Sequence, residues 1–226
     1  AVEAAQPKKV AVIGTGYVGL VLGACLSDLG HSVVCADIDE KKIASLKKGF
    51  IPIYEPGLTE LANHNIKSKR LEFTSDISHA VKNSEVIFIA VGTPTMEDGS
   101  ADISALEKAA DVIARNLNTS KVICIRSTIP VGTTTKIKEQ IEKISSQFEI
   151  CFCPEFLREG SAVQDFFHGD RFVIGHETEN AKDTIEAVFS DLFTAMPVLH
   201  CNFETAEAIK YASNAFLAAK ISFINE

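Results

Sequence analysis

This chain of 226 residues has no surplus of positive charge. Its 22 Lys and Arg stand against 30 Asp and Glu, and the net charge of −8 argues against a general nucleic-acid surface. An anionic small ligand stays possible, because it needs only a local cluster of donors. No apolar run reaches membrane-spanning length without charges, and Ala1 to Lys9 lacks the apolar centre of a secretory signal. No membrane partner is expected. The six histidines are scattered, without metal-ligand spacing. The six cysteines, Cys25, Cys35, Cys124, Cys151, Cys153 and Cys201, contain no C-x-x-C pair and read as reduced, buried thiols of a cytoplasmic protein. Low-complexity stretches are missing too. What is abundant is apolar: hydrophobic residues make up 46%, enough for a substantial core.

The chain is organised around Val10-Ala11-Val12-Ile13-Gly14-Thr15-Gly16-Tyr17-Val18-Gly19. A short apolar strand ends in glycines spaced G-x-G-x-x-G, and an amphipathic helix over Leu20 to Leu29 is expected to follow. Gly14 allows the tight bend, Gly16 lets a pyrophosphate approach the backbone, and Gly19 lets helix and strand pack closely. The helix N-terminus offers free N–H groups to an anion. A second apolar strand, Ser32 to Ala36, ends in Asp37, 18 residues beyond Gly19. A carboxylate there can accept both ribose hydroxyls of an adenosine and would repel a 2′-phosphate, which favours NAD over NADP. Lys41 and Lys42 lie nearby and weigh slightly against that preference. The alternative is a glycine turn in an unrelated α/β protein.

From there strand and helix alternate. Short helices are expected after Asp39 and over Leu58 to His64, separated by the punctuated loop Pro52, Tyr54-Glu55-Pro56-Gly57. Strands are expected at Leu71–Phe73, Val86–Val91, Lys121–Ile125 and Glu149–Cys153, an edge strand at Arg171–Gly175 and a last short strand at Pro197–His200. The expected fold is α/β: a Rossmann-like, doubly wound, mostly parallel sheet with helices on both faces. Ligands of such sheets bind beyond the carboxyl ends of the strands. That nominates Gly14–Gly19, Asp37, Gly92-Thr93-Pro94 and Ser127-Thr128.

Glu155 and Glu159 share a face if their segment makes a helical turn. Like charges at that spacing suit either a site or a solvated turn. From Glu204 onward one helix is expected, apolar round nearly its whole circumference and therefore buried between domains or subunits. Lys210 and Asn214 interrupt it on one face, where they point into a polar cavity or form a surface stripe. The helix stops at Glu226 without a terminating residue. The expected organisation is a flexible lead-in over 1–9, a dinucleotide-binding domain over 10–202 and, over 203–226, the start of a long central helix. That helix would lead to a substrate and dimerisation domain outside this chain.

Six motifs in order then resemble the UDP-glucose/GDP-mannose dehydrogenase family. They are Val12-Ile13-Gly14-Thr15-Gly16-Tyr17-Val18-Gly19-Leu20, Pro52-Ile53-Tyr54-Glu55-Pro56-Gly57-Leu58, Val91-Gly92-Thr93-Pro94, Ser127-Thr128-Ile129-Pro130-Val131-Gly132-Thr133, Pro154-Glu155-Phe156-Leu157-Arg158-Glu159-Gly160 and Lys210-Tyr211-Ala212-Ser213-Asn214-Ala215-Phe216. The wording is nearer the UDP-glucose branch than the GDP-mannose branch. The resemblance implies a four-electron oxidation of a UDP-sugar at C6, with two NAD molecules in turn and a cysteine-bound thioester that water hydrolyses. It implies that Glu155 is the general base for that water, that Lys210 stabilises oxyanions and that Asn214 helps orient water or sugar. Thr128 would serve the nicotinamide and the reacting water, and Glu159 the nicotinamide side. Phe156, Leu157 and Arg158, with Glu155, Lys210 and Asn214, would line the sugar-nucleotide site. Gly14, Gly16, Tyr17, Val18, Gly19, Asp37, Lys42, Gly92, Thr93, Pro94, Ser127, Thr128 and Glu159 would hold NAD. The family's nucleophile sits in a Gly-Gly-Ser-Cys context, and no cysteine here has it. The chain is thus expected to be the cofactor half of an enzyme that forms a homodimer or higher homo-oligomer through the central helix. Three alternatives stand beside this: another nucleotide-sugar 6-dehydrogenase, another Rossmann dehydrogenase with a helical second domain, and a non-catalytic NAD-binding module.

Overall fold

The structure is a computed structural model and describes residues 6–226. It builds β1 (Lys9–Ile13), α1 (Tyr17–Asp28), β2 (Ser32–Ala36), α2 (Glu40–Lys47), α3 (Leu58–Lys67), β3 (Leu71–Thr74), α4 (Ile77–Lys82) and β4 (Val86–Ile89). The second half adds α5 (Ser104–Asn116), β5 (Lys121–Ile125), α6 (Thr133–Glu142), β6 (Phe148–Phe152), α7 (Ala162–Phe167), β7 (Phe172–His176), α8 (Glu179–Phe189), β8 (Val198–Cys201) and α9 (Phe203–Asn225). Of the lead-in expected over 1–9, residues 1–5 lie outside the described residues, and Lys9 already belongs to β1.

The eight strands form one sheet in the order β3-β2-β1-β4-β5-β6-β7-β8. The neighbours from β3 to β6 pair in parallel, β7 is antiparallel to β6, and β8 is parallel to β7. Phe172–His176 is therefore not the edge strand expected at Arg171–Gly175: Val198–Cys201 closes the sheet beyond it. Alternation along the strands divides the core into two layers. Val10, Val12, Phe88, Cys124 and Cys151 face α1, α3, α7 and α8. Ala11, Ile13, Ile89, Ile123 and Phe152 face α4, α5, α6 and the start of α9. Each large side chain so buried contributes about 1.5–3 kcal/mol.

One helix departs from its sequence reading. In α1, expected to be amphipathic, every residue from Gly19 to Ser27 is buried, because the helix lies between the sheet and a second tier made by α3 and α7. In α9, whose apolar circumference suits burial between domains or subunits, Phe203, Ala206, Glu207 and Lys210 are buried, while Phe216, Leu217, Ile221, Phe223 and Ile224 are each more than half exposed. Only its first two turns have a sheet face to rest on. Pro154 to Glu159 makes no helical turn, so Glu155 and Glu159 share no helix face.

Candidate active site

At the carboxyl end of β1 the chain turns at Gly14, whose φ of 101° suits glycine. A Cβ on Gly14 would stand 2.6 Å from the Ala90 carbonyl oxygen at the end of β4, and one on Gly19 would stand 2.0 Å from the Gly14 carbonyl oxygen. Gly16 faces open space, with nothing within 4 Å of such a Cβ. As N-cap of α1 it brings no side-chain acceptor, so the first-turn N–H groups stay free for a ligand. The turn opens into a groove of about 420 Å³ that Asp37, Ile38, Lys42 and Gly92 also line.

Asp37 stands at the groove's rim. Its Oδ2 accepts from the Thr15 N–H (2.8 Å), the Thr15 hydroxyl (2.6 Å) and Lys42 Nζ (3.2 Å), and its Oδ1 accepts from the Asp39 N–H at 3.1 Å. Burial raises the carboxyl's pKa, but these donors outweigh it and hold the group below the usual carboxylate range. Lys42 is thus the ion-pair partner of Asp37. Beyond β4 and β5 two hydroxyls lace the loops together: Thr93 donates to the Thr128 carbonyl (2.7 Å) and Ser127 to the Val91 carbonyl (2.6 Å).

A second cleft, of about 480 Å³, opens beyond the end of β6. Glu155, Phe156, Leu157, Arg158, Lys210 and Asn214 all line it, so the structure gathers every residue expected at the sugar site. Lys210, its side chain only 5% exposed, donates from Nζ to Glu155 Oε1 at 3.1 Å. Glu155 Oε2 accepts the Leu157 N–H at 2.7 Å, which points the carboxylate inward. The Phe156 ring carries Arg171 at 4.1 Å and Lys210 at 5.3 Å from its centroid. Arg158 turns its guanidinium to Asp165, with Nε at 3.0 Å from Oδ2 and Nη2 at 2.6 Å from Oδ1. Glu159 is exposed. Tyr17, Val18, Gly19, Thr93, Pro94, Ser127, Thr128 and Glu159 line neither cleft. No cysteine lines either cleft among the described residues.

Two carboxylates that sequence reasoning left without a role hold this arrangement together. Glu55 accepts from the Tyr17 hydroxyl (2.6 Å) and from the N–H groups of Gly160 (2.9 Å) and Ala162 (2.7 Å). It ties the glycine turn to the loop that carries Glu155. Burial and the Glu55 carboxylate push the Tyr17 phenol well above its ordinary pKa. Glu207, fully buried on α9, accepts from the Gly132 N–H (2.6 Å), the Thr134 N–H (2.7 Å) and the Thr134 hydroxyl (2.6 Å). Gly132 is the N-cap of α6 and has no side chain to do this. A Glu three residues before Lys210, in an otherwise apolar helix turn, is the signal that could have found it.

Residues 8–193 match the profile of the UDP-glucose/GDP-mannose dehydrogenase family, NAD binding domain, and residues 204–226 match that family's central domain. The chain belongs to this family. It is 50% identical over 222 residues to UDP-glucose 6-dehydrogenase TuaD of Bacillus subtilis (strain 168), covering 97% of the chain and 48% of that protein. A UDP-glucose dehydrogenase structure from the hyperthermophilic archaeon Pyrobaculum islandicum superposes with a TM-score of 0.94 at 38% identity, over 99% of the chain and 52% of its own. The ternary complex of GDP-mannose dehydrogenase from Pseudomonas aeruginosa superposes with a TM-score of 0.92 at 34% identity, over 96% of the chain and 51% of its own. The chain thus spans about half the length of the relatives it matches. Its cofactor is NAD, as in the family's NAD-binding domain. The glycine cradle, the free helix terminus and the rim carboxylate fit that group. No helix among the described residues is long and apolar enough to cross a membrane.

Proposed function

We propose that this chain is the NAD-binding half of a cytoplasmic UDP-glucose 6-dehydrogenase, which oxidises the sugar's C6 alcohol to the acid. The observation that carries the reading is the Glu155–Lys210 pair, a buried lysine on a part-buried carboxylate, in a cleft on the same strand-end side of the sheet as the dinucleotide groove. Gly14, Gly16 and Gly19, with the first turn of α1 that Tyr17 and Val18 open, cradle the pyrophosphate. Asp37 accepts the ribose hydroxyls through the lone pairs its own chain leaves unused, and the donors of Thr15, Asp39 and Lys42 keep it ionised. Gly92, Thr93, Pro94, Ser127, Thr128 and Glu159 border the nicotinamide. When bound, NAD supplies the hydride acceptor.

The remaining chemistry is the chain's own. Lys210, a cation in a water-poor cleft, stabilises the oxyanions that form at C6. Glu155, already fixed by the Leu157 N–H, takes a proton from the attacking water. Asn214 orients that water or the sugar, Thr128 acts beside it, and Phe156 to Arg158 hold the sugar nucleotide. The thiol nucleophile and the rest of the sugar site would come from outside this chain. The GDP-mannose reading stands second, supported by the solved relative of that name.

The test uses protein of the relatives' full length, which should form two NADH per UDP-glucose. Glu155→Gln should slow thioester hydrolysis more than the first hydride transfer, giving an NADH burst followed by a slow phase on rapid mixing. Loss of the burst as well would remove the base role and leave Glu155 needed for binding or the first oxidation. Turnover of UDP-glucose by the 226-residue chain alone would contradict the division of labour.

A further inference from the structure

Beneath the second cleft lies a cluster of thiols with no part in the chemistry above. β5 and β6 are adjacent parallel strands, and their register sets Cys124 directly against Cys151. Cys153, two residues on, projects from the same face. All three are fully buried, and their sulfurs lie within 4.8 Å of one another. We propose that Cys124, Cys151 and Cys153 form a three-thiolate site for a soft, thiophilic cation.

Metal–sulfur bonds of about 2.3 Å in a trigonal array set the sulfurs about 4 Å apart, so closure asks for a contraction of less than about 1 Å. The second observation concerns the surroundings. Among the described residues, two buried side-chain nitrogens have no hydrogen-bond partner: Arg126 Nε and His176 Nδ1. Arg126 follows Cys124 by two residues, and His176 is the register partner of Cys151 across β6 and β7. Arg126 is buried and forms no ion pair with any described carboxylate; its guanidinium rests 5.8 Å from the ring centroids of Phe172 and Phe189. A lone buried cation of that kind is costly unless an anion faces it. Three thiolates around a divalent ion leave one negative charge, and Arg126 matches it.

The donor set decides the class of ion. Three sulfurs and no oxygen exclude calcium and magnesium, which take oxygen ligands. They favour thiophilic ions that accept three ligands, such as Cd(II), over Zn(II), which demands a fourth. Binding is a ligand exchange without oxidation: three S–H protons pass to solvent, the ion sheds its waters, and three metal–sulfur bonds form. Arg126 and Pro154, which border the cluster in sequence, line the cleft above it, so a seated ion would brace the cleft's floor.

The test titrates the reduced, metal-free protein with cadmium chloride under inert gas, with warm incubation so that the buried site can open. A thiolate-to-cadmium absorption band should saturate at one ion per chain, and X-ray absorption at the cadmium edge should count three sulfur neighbours. Cys153→Ser should weaken binding by roughly tenfold or more, while Cys201→Ser should leave it unchanged. Failure to saturate, fewer than three sulfur neighbours, or an unaltered band in Cys153→Ser would overturn the proposal. The sulfur count needs no variant, so it decides the matter even if the serine proteins fold poorly.

Discussion

At the scale of the residue, the site is built from charges that are already partnered. Asp37 was legible in the sequence, because an acid closing the second strand has few other reasons to be there. Its four internal donors were not legible: Thr15 and Lys42 reach it only once the glycine turn and α2 have folded. Asp37→Ala is expected to weaken NAD binding and to raise the affinity for NADP relative to it, as calorimetric titration of both cofactors would record. Equal affinities in the unmutated chain would remove Asp37 from that role. Glu155 and Lys210 are 55 residues apart in sequence, and nothing in their spacing announces the 3.1 Å contact. Motif resemblance put each of them at the site, and folding made them a pair.

At the scale of the element, Glu207 reaches from α9 to cap α6, so the helix that carries Lys210 is fastened to the loop that carries Ser127 and Thr128. Glu207→Ala leaves the buried Thr134 N–H and the part-buried Gly132 N–H without their partner. The cost should be about 3 kcal/mol of stability, read as a lower urea midpoint. Glu207→Gln should recover only part, because one of its two terminal atoms becomes a donor facing a donor. The sequence suggests an amphipathic α1 because a single helix does not show what will cover its outer face. The second tier of α3 and α7 that covers its outer face is a property of the assembled layers. The strand at Phe172–His176 was legible as a strand, but the partner on its far side, Val198–Cys201, was decided by the antiparallel return of the chain.

At the scale of the whole molecule, three engaged carboxylates make stability depend on acid. Asp37, Glu55 and Asp165 are each held below the ordinary carboxylate range; burial opposes this at Asp37 and Glu55, and hydrogen bonds outweigh it. At Asp165 the Arg158 guanidinium is the leading cause. Groups depressed in the folded state contribute fully above their unfolded pKa and lose that contribution as pH falls through the folded one. The melting temperature should therefore hold steady from neutrality down to about pH 5 and then fall. Glu55→Gln should blunt that fall, and an unchanged acid profile in this variant would remove Glu55 from the account. The exposed apolar stripe of α9, from Phe216 to Ile224, should make the chain self-associate as copies cover it. A strict monomer by sedimentation, with no binding of a hydrophobic dye, would count against that. The sequence by itself determined the strand–turn–helix grammar, the parallel sheet and the dinucleotide turn, because these follow from local periodicity and from glycines that no other residue replaces. Tertiary structure alone decided which distant carboxylate meets which donor, which face of α9 is covered and which three thiols share one pocket, because burial and proximity between remote segments exist only after the layers have packed.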